Sequence, residues 1–380
     1  MIFLPLLGGA AALFLAMGVA RFAFTPVLPI MQAEFKFSDT VSGLLASANY
    51  FGYFVGAVVT RFLPYNKKYI TYIVSVILSV VFILLMASPM ASLWYLFRFI
   101  SGFFSAIVFV LSSEFILEYL EQNSMLQFGG AIYSGIGGGM AFSGLTVPFL
   151  SKFFGASMVW LSIGLLSLIP MFLAIYAMPR VSIKMSLQLS QTKVIKKEIM
   201  LLGVSYFLEG FAYIITGTFI SVIILRATSS IMLSGYVWVF AGLGAAFITP
   251  FWMTLHKRIS LKNVLVIVFI VQIISMSIPL ITSNTVIVIL GAVGFGGTFL
   301  GITFLSFAYG RQLSPEGITI VFLTILYSLG QMMGPAVAGF FADKTGNFTV
   351  SMLIATIAAT IGCLIVCMIK DHVGGKDAST

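Results

Sequence analysis

The stretch PRVSIKMSLQLSQTKVIKKE, residues 179–198, is the longest polar break in a chain that is otherwise almost wholly apolar. Apolar runs long enough to cross a bilayer, which takes about 20 residues, lie on both sides of it. Six runs precede the break and six follow it. No run alternates polar and apolar residues as a barrel strand would. We therefore predict twelve transmembrane helices. The predicted spans are 5–31, 38–62, 69–88, 91–115, 127–150, 156–178, 199–225, 231–255, 264–282, 285–309, 317–341 and 348–369.

Composition sets the class of protein. Hydrophobic residues make up 60% of the chain and charged residues 8%, whereas a soluble domain carries roughly a quarter charged residues. The net charge of +9 would suit a nucleic-acid partner if it were concentrated in one region. The basic residues instead lie in short loops between apolar runs, where they orient membrane helices. The chain is thus predicted to be an all-α integral membrane protein with the lipid bilayer as its environment and no nucleic-acid partner.

The basic residues also predict orientation. Of the 20 Lys and Arg, fourteen fall on the side of the central loop 179–198, four on the other side and two inside spans. We call these two sides the loop face and the opposite face. Positive charge accumulates in cytoplasmic loops, so we expect the loop face and both termini in the cytoplasm. The N-terminal run MIFLPLLGG begins without Lys or Arg, which favours a retained first span over a signal peptide.

Short matches relate the two halves of the chain. RFAF at 21–24 corresponds to GFAY at 210–213, SGLL at Ser42 to SGYV at Ser234, and YSG at Tyr133 to YSL at Tyr327. The offsets are 189, 192 and 194 residues. A steady offset predicts a parallel repeat of two six-helix bundles, 1–178 and 199–370, related by a pseudo-two-fold axis and followed by a short tail, 371–380.

GVARFAFTPVLPIMQ (18–32) followed by SGLLASANYFGYFVGA (42–57) resembles the YbfB/YjiJ-like branch of the major facilitator superfamily. The resemblance extends along essentially the whole chain. It implies a secondary transporter that works by alternating access, with spans 1, 4, 7 and 10 lining a central cavity. The superfamily's motif between spans 2 and 3 is degraded in GAVVTRFLPYNKK (56–68), where Thr60 replaces the acid. The Gly-Pro typical of exporters is absent from span 5 and occurs at 334–335 in span 11, which weakens a drug-export interpretation without removing it.

Three ionisable residues lie well inside spans: Arg21, Arg98 and Glu209. Each costs about 2.5–3.5 kcal/mol at a helix centre, so each is a functional candidate. The repeat places Glu209 opposite Ala20, so Arg21 and Glu209 are expected at nearly the same depth, where they can pair when no substrate is bound. We predict that Arg21 and Arg98 bind an anion through their guanidinium groups and that Glu209 carries a coupling proton. A fixed salt bridge between the halves, and for Arg98 a packing role, are the alternatives.

Polar residues on other spans complete the predicted substrate site. Ser42, Asn49, Tyr53 and Gly56 share one face of span 2, while Tyr50 is expected to point elsewhere. The predicted substrate contacts besides the two arginines are Asn49, Tyr53, Tyr213 and Gln331. Helix packing is the alternative role for each of them.

A contact at the loop face is predicted to form a gate. Glu114 and Glu118 lie near the end of span 4, and Arg61 leaves span 2 nearby. Because the loop motif lacks its usual acid, we expect one of these glutamates to bind Arg61 and close this face. A solvated helix end is the alternative.

Features of enzymes and metalloproteins are missing from the sequence. It contains no G-x-x-x-x-G-K-[ST] phosphate loop, and its two histidines, His256 and His372, fall outside the spans. Cys363 and Cys367 lie one turn apart in span 12 and are expected to be apolar fillers. We predict no catalytic residues, no metal site and no cofactor.

The predicted function is secondary active transport of a small organic anion with proton coupling, by a monomer. One alternative is proton-driven efflux of amphipathic or cationic compounds with Glu209 as the cation site. Another is a non-transporting membrane sensor, but the final segment KDHVGGKDAST, residues 370–380, is too short to be a soluble sensor domain.

Overall fold

The computed structural model describes residues 3–181, 197–314 and 317–370, and within these ranges each predicted span is helical. Most of the predicted central loop and the predicted tail 371–380 lie outside the described residues. In chain order the α-helices are Phe3–Leu13, Phe24–Phe35, Asp39–Thr60, Tyr65–Leu85, Trp94–Gln122, Ser134–Leu150, Ala156–Leu166, Leu168–Ala177, Lys197–Thr228, Ile231–Phe247, Thr249–His256, Leu261–Ile281, Thr285–Leu313, Gly317–Thr345 and Thr349–Met368.

Helices of membrane-crossing length account for eleven of the twelve predicted spans among the described residues. The remaining one, span 5, consists of a 3₁₀ segment, Leu126–Tyr133, followed by a 17-residue α-helix, Ser134–Leu150. Spans 6 and 8 each contain a break, next to Pro170 and Pro250. Proline lacks the N–H that would continue the helix ladder, so each span is divided there.

The two halves repeat each other in local structure as well as in sequence. At the start of span 2, Ser38 accepts a hydrogen bond from the Val41 N–H, and at the start of span 8, Ser230 accepts one from the Leu233 N–H. A serine oxygen in this position satisfies one of the N–H groups that a helix start leaves free. The two caps are 192 residues apart (230 − 38), an offset that agrees with the repeat. The twelve spans thus form two six-helix bundles.

The bundles meet through close backbone contacts, one of which joins span 2 to span 11. A Cβ atom on Gly43 would lie 2.1 Å from the Pro335 carbonyl oxygen, and one on Gly339 would lie 2.2 Å from the Asp39 carbonyl oxygen. Any side chain at either glycine would hold the two helices apart. Small residues therefore permit a close approach that packing in lipid requires.

Candidate functional site

Span 1 is interrupted at the centre of the molecule. The α-helix Phe3–Leu13 passes into a π-helical turn, Phe14–Val19, and a regular helix resumes at Phe24. The Thr25 N–H donates to the Phe22 carbonyl oxygen, three residues back, instead of to that of Arg21. The Arg21 carbonyl therefore has no partner within its own helix and is available to a side chain from another span.

Arg98 of span 4 donates to this carbonyl and to two others. Its Nη1 donates to the Ala20 oxygen at 3.3 Å, its Nη2 to the Arg21 oxygen at 3.5 Å and its Nε to the Leu45 oxygen at 3.4 Å. The guanidinium carbon also lies 4.4 Å from the centre of the Phe24 ring. The side chain is buried, and each of its nitrogens has a backbone acceptor. This geometry braces the break in span 1 and favours the packing role for Arg98, while its contact with substrate stays a prediction.

Arg21 is buried but has unused hydrogen-bond donors. Its guanidinium carbon lies 4.6 Å from the ring centre of Tyr50 and 4.4 Å from that of Tyr53. Its Nη1 approaches the Met17 sulfur at 3.9 Å, whereas Nε and Nη2 have no hydrogen-bond partner among the residues described. Nε and Nη2 share one edge of the guanidinium, the edge that can bind both oxygens of a carboxylate. The Tyr53 hydroxyl also interacts with this guanidinium, but neither Nε nor Nη2 has an acceptor at hydrogen-bond geometry among the described residues, so this donor pair is open to an anion.

The face of span 2 that meets Arg21 differs from the prediction. Tyr50 and Tyr53, three residues apart on the helix, both contact Arg21, so Tyr50 does not point elsewhere. Asn49 instead faces span 4, where its Nδ2 donates to the Arg98 carbonyl oxygen at 2.9 Å. Residues three apart lie on one helix face, which explains why the two tyrosines act together. Asn49 thus joins two helices through its Nδ2, and substrate contact by Asn49 and by Tyr53 stays a prediction.

Glu209 of span 7 is fully buried beside Gln272 of span 9. The Gln272 Nε2 donates to Glu209 Oε1 at 2.5 Å. Glu209 Oε2 and Gln272 Oε1 have no hydrogen-bond partner in the described part of the chain. The sequence predicted that Glu209 pairs with Arg21, but the described residues show no ion pair between the two.

The register of the two halves explains this correction. The Thr25 hydroxyl donates to the Gly217 carbonyl oxygen at 2.6 Å, which sets span 1 against span 7 at an offset of 192 residues (217 − 25). Counting back one helical turn from that contact places Arg21 level with Tyr213. Glu209 then lies about one turn nearer the loop face than Arg21, because a turn spans 3.6 residues. The expected equal depth rested on the smaller offset of 189 residues.

A stack of aromatic rings fills the space near Glu209 in the C-terminal bundle. Tyr206 and Tyr327 stack with ring centres 4.2 Å apart, and Tyr327 and Tyr213 stack at 5.7 Å. Tyr213 also stacks on Phe299 at 5.5 Å. The Gln331 amide donates to the Tyr213 hydroxyl. The structure therefore brings two predicted substrate contacts, Tyr213 and Gln331, into direct contact with each other.

The loop face differs from the predicted gate. The Lys68 Nζ lies 2.6 Å from Glu114 Oε1, so Lys68 and not Arg61 binds this glutamate. Arg61 is exposed, and Glu118 accepts a hydrogen bond from Gln122 at 2.8 Å. Lys68 begins span 3 and reaches Glu114 more directly than Arg61, which follows the end of span 2. Both partners belong to the N-terminal bundle, so this ion pair does not join the two halves.

At the opposite face, a cluster that the sequence analysis missed does join the halves. The Arg226 guanidinium binds both carboxylate oxygens of Asp39, each at 2.8 Å. The Asp343 carboxylate accepts hydrogen bonds from the N–H groups of Asp39 and Thr40, each at 2.9 Å. We call Asp39, Arg226 and Asp343 the opposite-face latch. It ties the start of span 2 to the ends of spans 7 and 11.

Gln272 and Tyr50 were also missed as members of the central site. Gln272 had a usable signal, since it is an amide in the middle of a strongly apolar span, where such a group needs a partner. The signal for Tyr50 was its spacing from Tyr53. Among the residues that the structure describes, no group of His, Cys, Asp and Glu is placed to hold a metal ion.

Comparison with known proteins agrees with this architecture. Residues 13–367 match the family described as "Uncharacterised MFS-type transporter YbfB". The solved structure of the nucleoside transporter NupG superposes with a TM-score of 0.74 at 16% identity, covering 96% of this chain and 97% of that one. The D-xylose-proton symporter superposes with a TM-score of 0.70 at 12% identity, covering 97% of each chain. No curated protein sequence matches. At these identities the likeness to solved structures shows the fold alone.

Proposed function

Since the chain belongs to the YbfB-type family of the major facilitator superfamily and is a secondary transporter rather than an enzyme, we propose that it carries a small organic anion together with a proton. It works by alternating access in the inner (plasma) membrane, as a monomer with both termini in the cytoplasm. Arg21 binds the anion, with Tyr53, Tyr213 and Gln331 around it, and Glu209 carries the proton.

The observation that carries this proposal is the open edge of the Arg21 guanidinium. A buried cation whose Nε and Nη2 lack acceptors is costly, because buried polar groups normally have hydrogen-bond partners. An anion in the cavity supplies both the missing acceptors and the missing charge. The aromatic rings of Tyr50 and Tyr53 support the cation while the site is empty.

Glu209 supports the coupling to protons. Its carboxylate is buried, has one hydrogen-bond donor, Gln272, and lies away from Arg21. A bound proton removes its charge, and a bound anion neutralises Arg21. The fully loaded carrier then buries no net charge at either residue, whereas a half-loaded carrier does. Because an uncompensated charge opposes movement through an apolar interior, the two ligands are expected to travel together.

Alternating access requires the contacts between the halves to open. In the structure the opposite-face latch and the contact of span 2 with span 11 close the opposite face. Transport through this face needs both to separate, and their relative stability sets how often it opens.

Uptake into proteoliposomes tests the proposal. The probes are radiolabelled gluconate and glucuronate, polar anions that cross bilayers poorly, with glucose as a neutral probe. We expect an inward proton gradient to drive accumulation of an anion by the wild type. Arg21→Met abolishes that accumulation, and Glu209→Gln removes its dependence on the gradient. Uptake that ignores the gradient, or that Arg21→Met leaves unchanged, contradicts the proposal.

Efflux of cationic amphipathic compounds is the second candidate, favoured by the Glu209 carboxylate beside the Tyr206–Tyr327 stack. A carboxylate and aromatic faces together suit an organic cation. Tetraphenylphosphonium is the probe in the same liposomes. In this alternative Glu209→Gln abolishes its transport and Arg21→Met does not, which is the reverse of the pattern expected for an anion.

A further inference from the structure

The central site offers a single free cationic group. Three Lys and Arg side chains are buried among the described residues: Arg21, Arg98 and Lys68. The three nitrogens of Arg98 are engaged by backbone carbonyl oxygens, and Lys68 is paired with Glu114 near the loop face. Of these three side chains, only Arg21 retains nitrogens without a hydrogen-bond partner. The free donors available to a solute from these three side chains are therefore those of one guanidinium.

That guanidinium is also open along one edge only. The rings of Tyr50 and Tyr53 lie against it at 4.6 and 4.4 Å, and Phe22 approaches at 5.3 Å. Nη1 is directed at the sulfur of Met17. What remains is the pair Nε and Nη2, whose two N–H groups are parallel and lie in one plane. This pair matches the two coplanar oxygens of a carboxylate.

Among the described residues the cation beside Arg21 is Arg98, whose Nη2 donates to the Arg21 carbonyl oxygen at 3.5 Å and whose other nitrogens also have backbone acceptors, so it offers no free donor to a second negative group. The other titratable groups that act on Arg21 electrostatically are Tyr50, Tyr53, Tyr213 and Tyr327, and Arg98 acts on it as a like charge. Glu209, about one turn away, is neutral when it carries a proton and negative otherwise. A solute with two charged groups would therefore leave one of them without a hydrogen-bond donor inside the bundle, where an unsatisfied charged group is strongly unfavourable.

Resting on the function proposed above, we infer that the solute is a monocarboxylate and that the site rejects dicarboxylates and phosphate monoesters. The carboxylate occupies the Nε–Nη2 edge of Arg21, and its single charged group matches the single open donor edge found there. A phosphate group has a third oxygen and a second charge, and neither finds a cationic donor there.

Thermal unfolding of the purified full-length protein in lipid nanodiscs tests this inference, because a ligand that binds the folded state raises the unfolding temperature. The probes are matched pairs that differ by one carboxylate: gluconate with glucarate, butyrate with succinate, and benzoate with terephthalate. Glucose 6-phosphate and glucose complete the series. We expect a monocarboxylate to bind at least 100-fold more tightly than its dicarboxylate partner and glucose 6-phosphate not to bind.

Two variants connect the result to Arg21. Arg21→Lys keeps the charge but loses the two-pronged edge, so monocarboxylate affinity is expected to fall at least tenfold while unfolding without ligand stays cooperative. Lys68→Met removes a buried cation that is already paired, so it should leave selectivity unchanged.

The outcomes separate the inference from the proposed function. Dicarboxylates that bind as tightly as monocarboxylates, with a dependence on Arg21, overturn the inference and leave anion transport standing. If no anion of any pair stabilises the protein while tetraphenylphosphonium does, both the inference and the proposed function fail. Monocarboxylate binding that Arg21→Lys leaves unaltered also overturns the inference, because the carboxylate then lies elsewhere.

Discussion

Arg226→Met is expected to open the opposite face. The substitution removes both hydrogen bonds that the guanidinium donates to Asp39, each 2.8 Å long. The Asp39 carboxylate would keep the Gln32 amide, which donates to it at 2.7 Å. It would otherwise be an unpaired charge held against span 11. Separation of the halves lets water reach this carboxylate, so the variant favours the open arrangement.

The size of the effect follows from the exposure of the two side chains. Breaking a fully buried ion pair costs about 3–5 kcal/mol. Asp39 is 6% exposed but Arg226 is 44% exposed, so water already screens one partner and the cost is reduced. We take about 2 kcal/mol, within the range of about 1.5–3 kcal/mol for hydrogen bonds to charged groups. That raises the ratio of open to closed molecules roughly 30-fold, since about 1.4 kcal/mol corresponds to a factor of ten.

A distance between spin labels at the opposite face measures this ratio. Lys36 and Lys344 are exposed and belong to different halves, so Lys36→Cys and Lys344→Cys provide the labelling sites. The native cysteines are first removed by Cys363→Ala and Cys367→Ala. Pulsed electron paramagnetic resonance in nanodiscs should show a longer distance gaining population in Arg226→Met.

Matched controls decide whether the latch is responsible. Lys68→Met breaks another ion pair, 2.6 Å from Glu114, but within one bundle, so the distance distribution should not change. Adding Asp39→Asn to Arg226→Met removes the unpaired charge and should restore part of the closed population. Identical distributions in wild type and Arg226→Met would refute the reasoning, since the latch would then contribute nothing to closure.

Three further predictions concern the central site and the contact between the halves. The losses of unfolding free energy caused by Arg21→Met and by Glu209→Gln should add within about 0.5 kcal/mol in the double variant, because the two residues do not pair. Chemical denaturation measures these losses, and a double variant more stable than either single variant would show that the residues do pair. Gln272→Leu removes the hydrogen-bond donor to Glu209 and should lower the unfolding temperature more at alkaline than at acidic pH, because the lost bond matters most to an ionised carboxylate. An equal decrease in unfolding temperature at both pH values would contradict this. Gly339→Ala places a Cβ against a backbone oxygen and should lengthen the spin-label distance, whereas Gly130→Ala, whose Cβ meets open space, should leave it unchanged. Equal spin-label distances in the two variants would count against the close helix contact.

The sequence by itself determined where the membrane spans lie along the chain, with their ends several residues uncertain. An apolar run must be long enough to cross the hydrocarbon core, and this requirement is local, so composition alone reveals it. Span 9 was predicted at 264–282 and the helix is Leu261–Ile281. The repeat was also visible, because Ser42 and Ser234 occupy equivalent places after equivalent caps. Membership of the transporter superfamily followed from motifs that are likewise contiguous in the chain.

The partners of the polar residues were decided only by the tertiary structure. Lipid-facing and core-facing positions of a membrane helix are both apolar, so periodicity does not reveal how a span is rotated. For this reason Tyr50 was placed on the wrong face. Register between spans is likewise not local: the Thr25 contact with Gly217 sets it across 192 residues (217 − 25) and moves Glu209 away from Arg21 to Gln272. The sequence shows which charged residues lie inside spans, but the packing of the two bundles determines which of them remain unpaired and free to bind a solute.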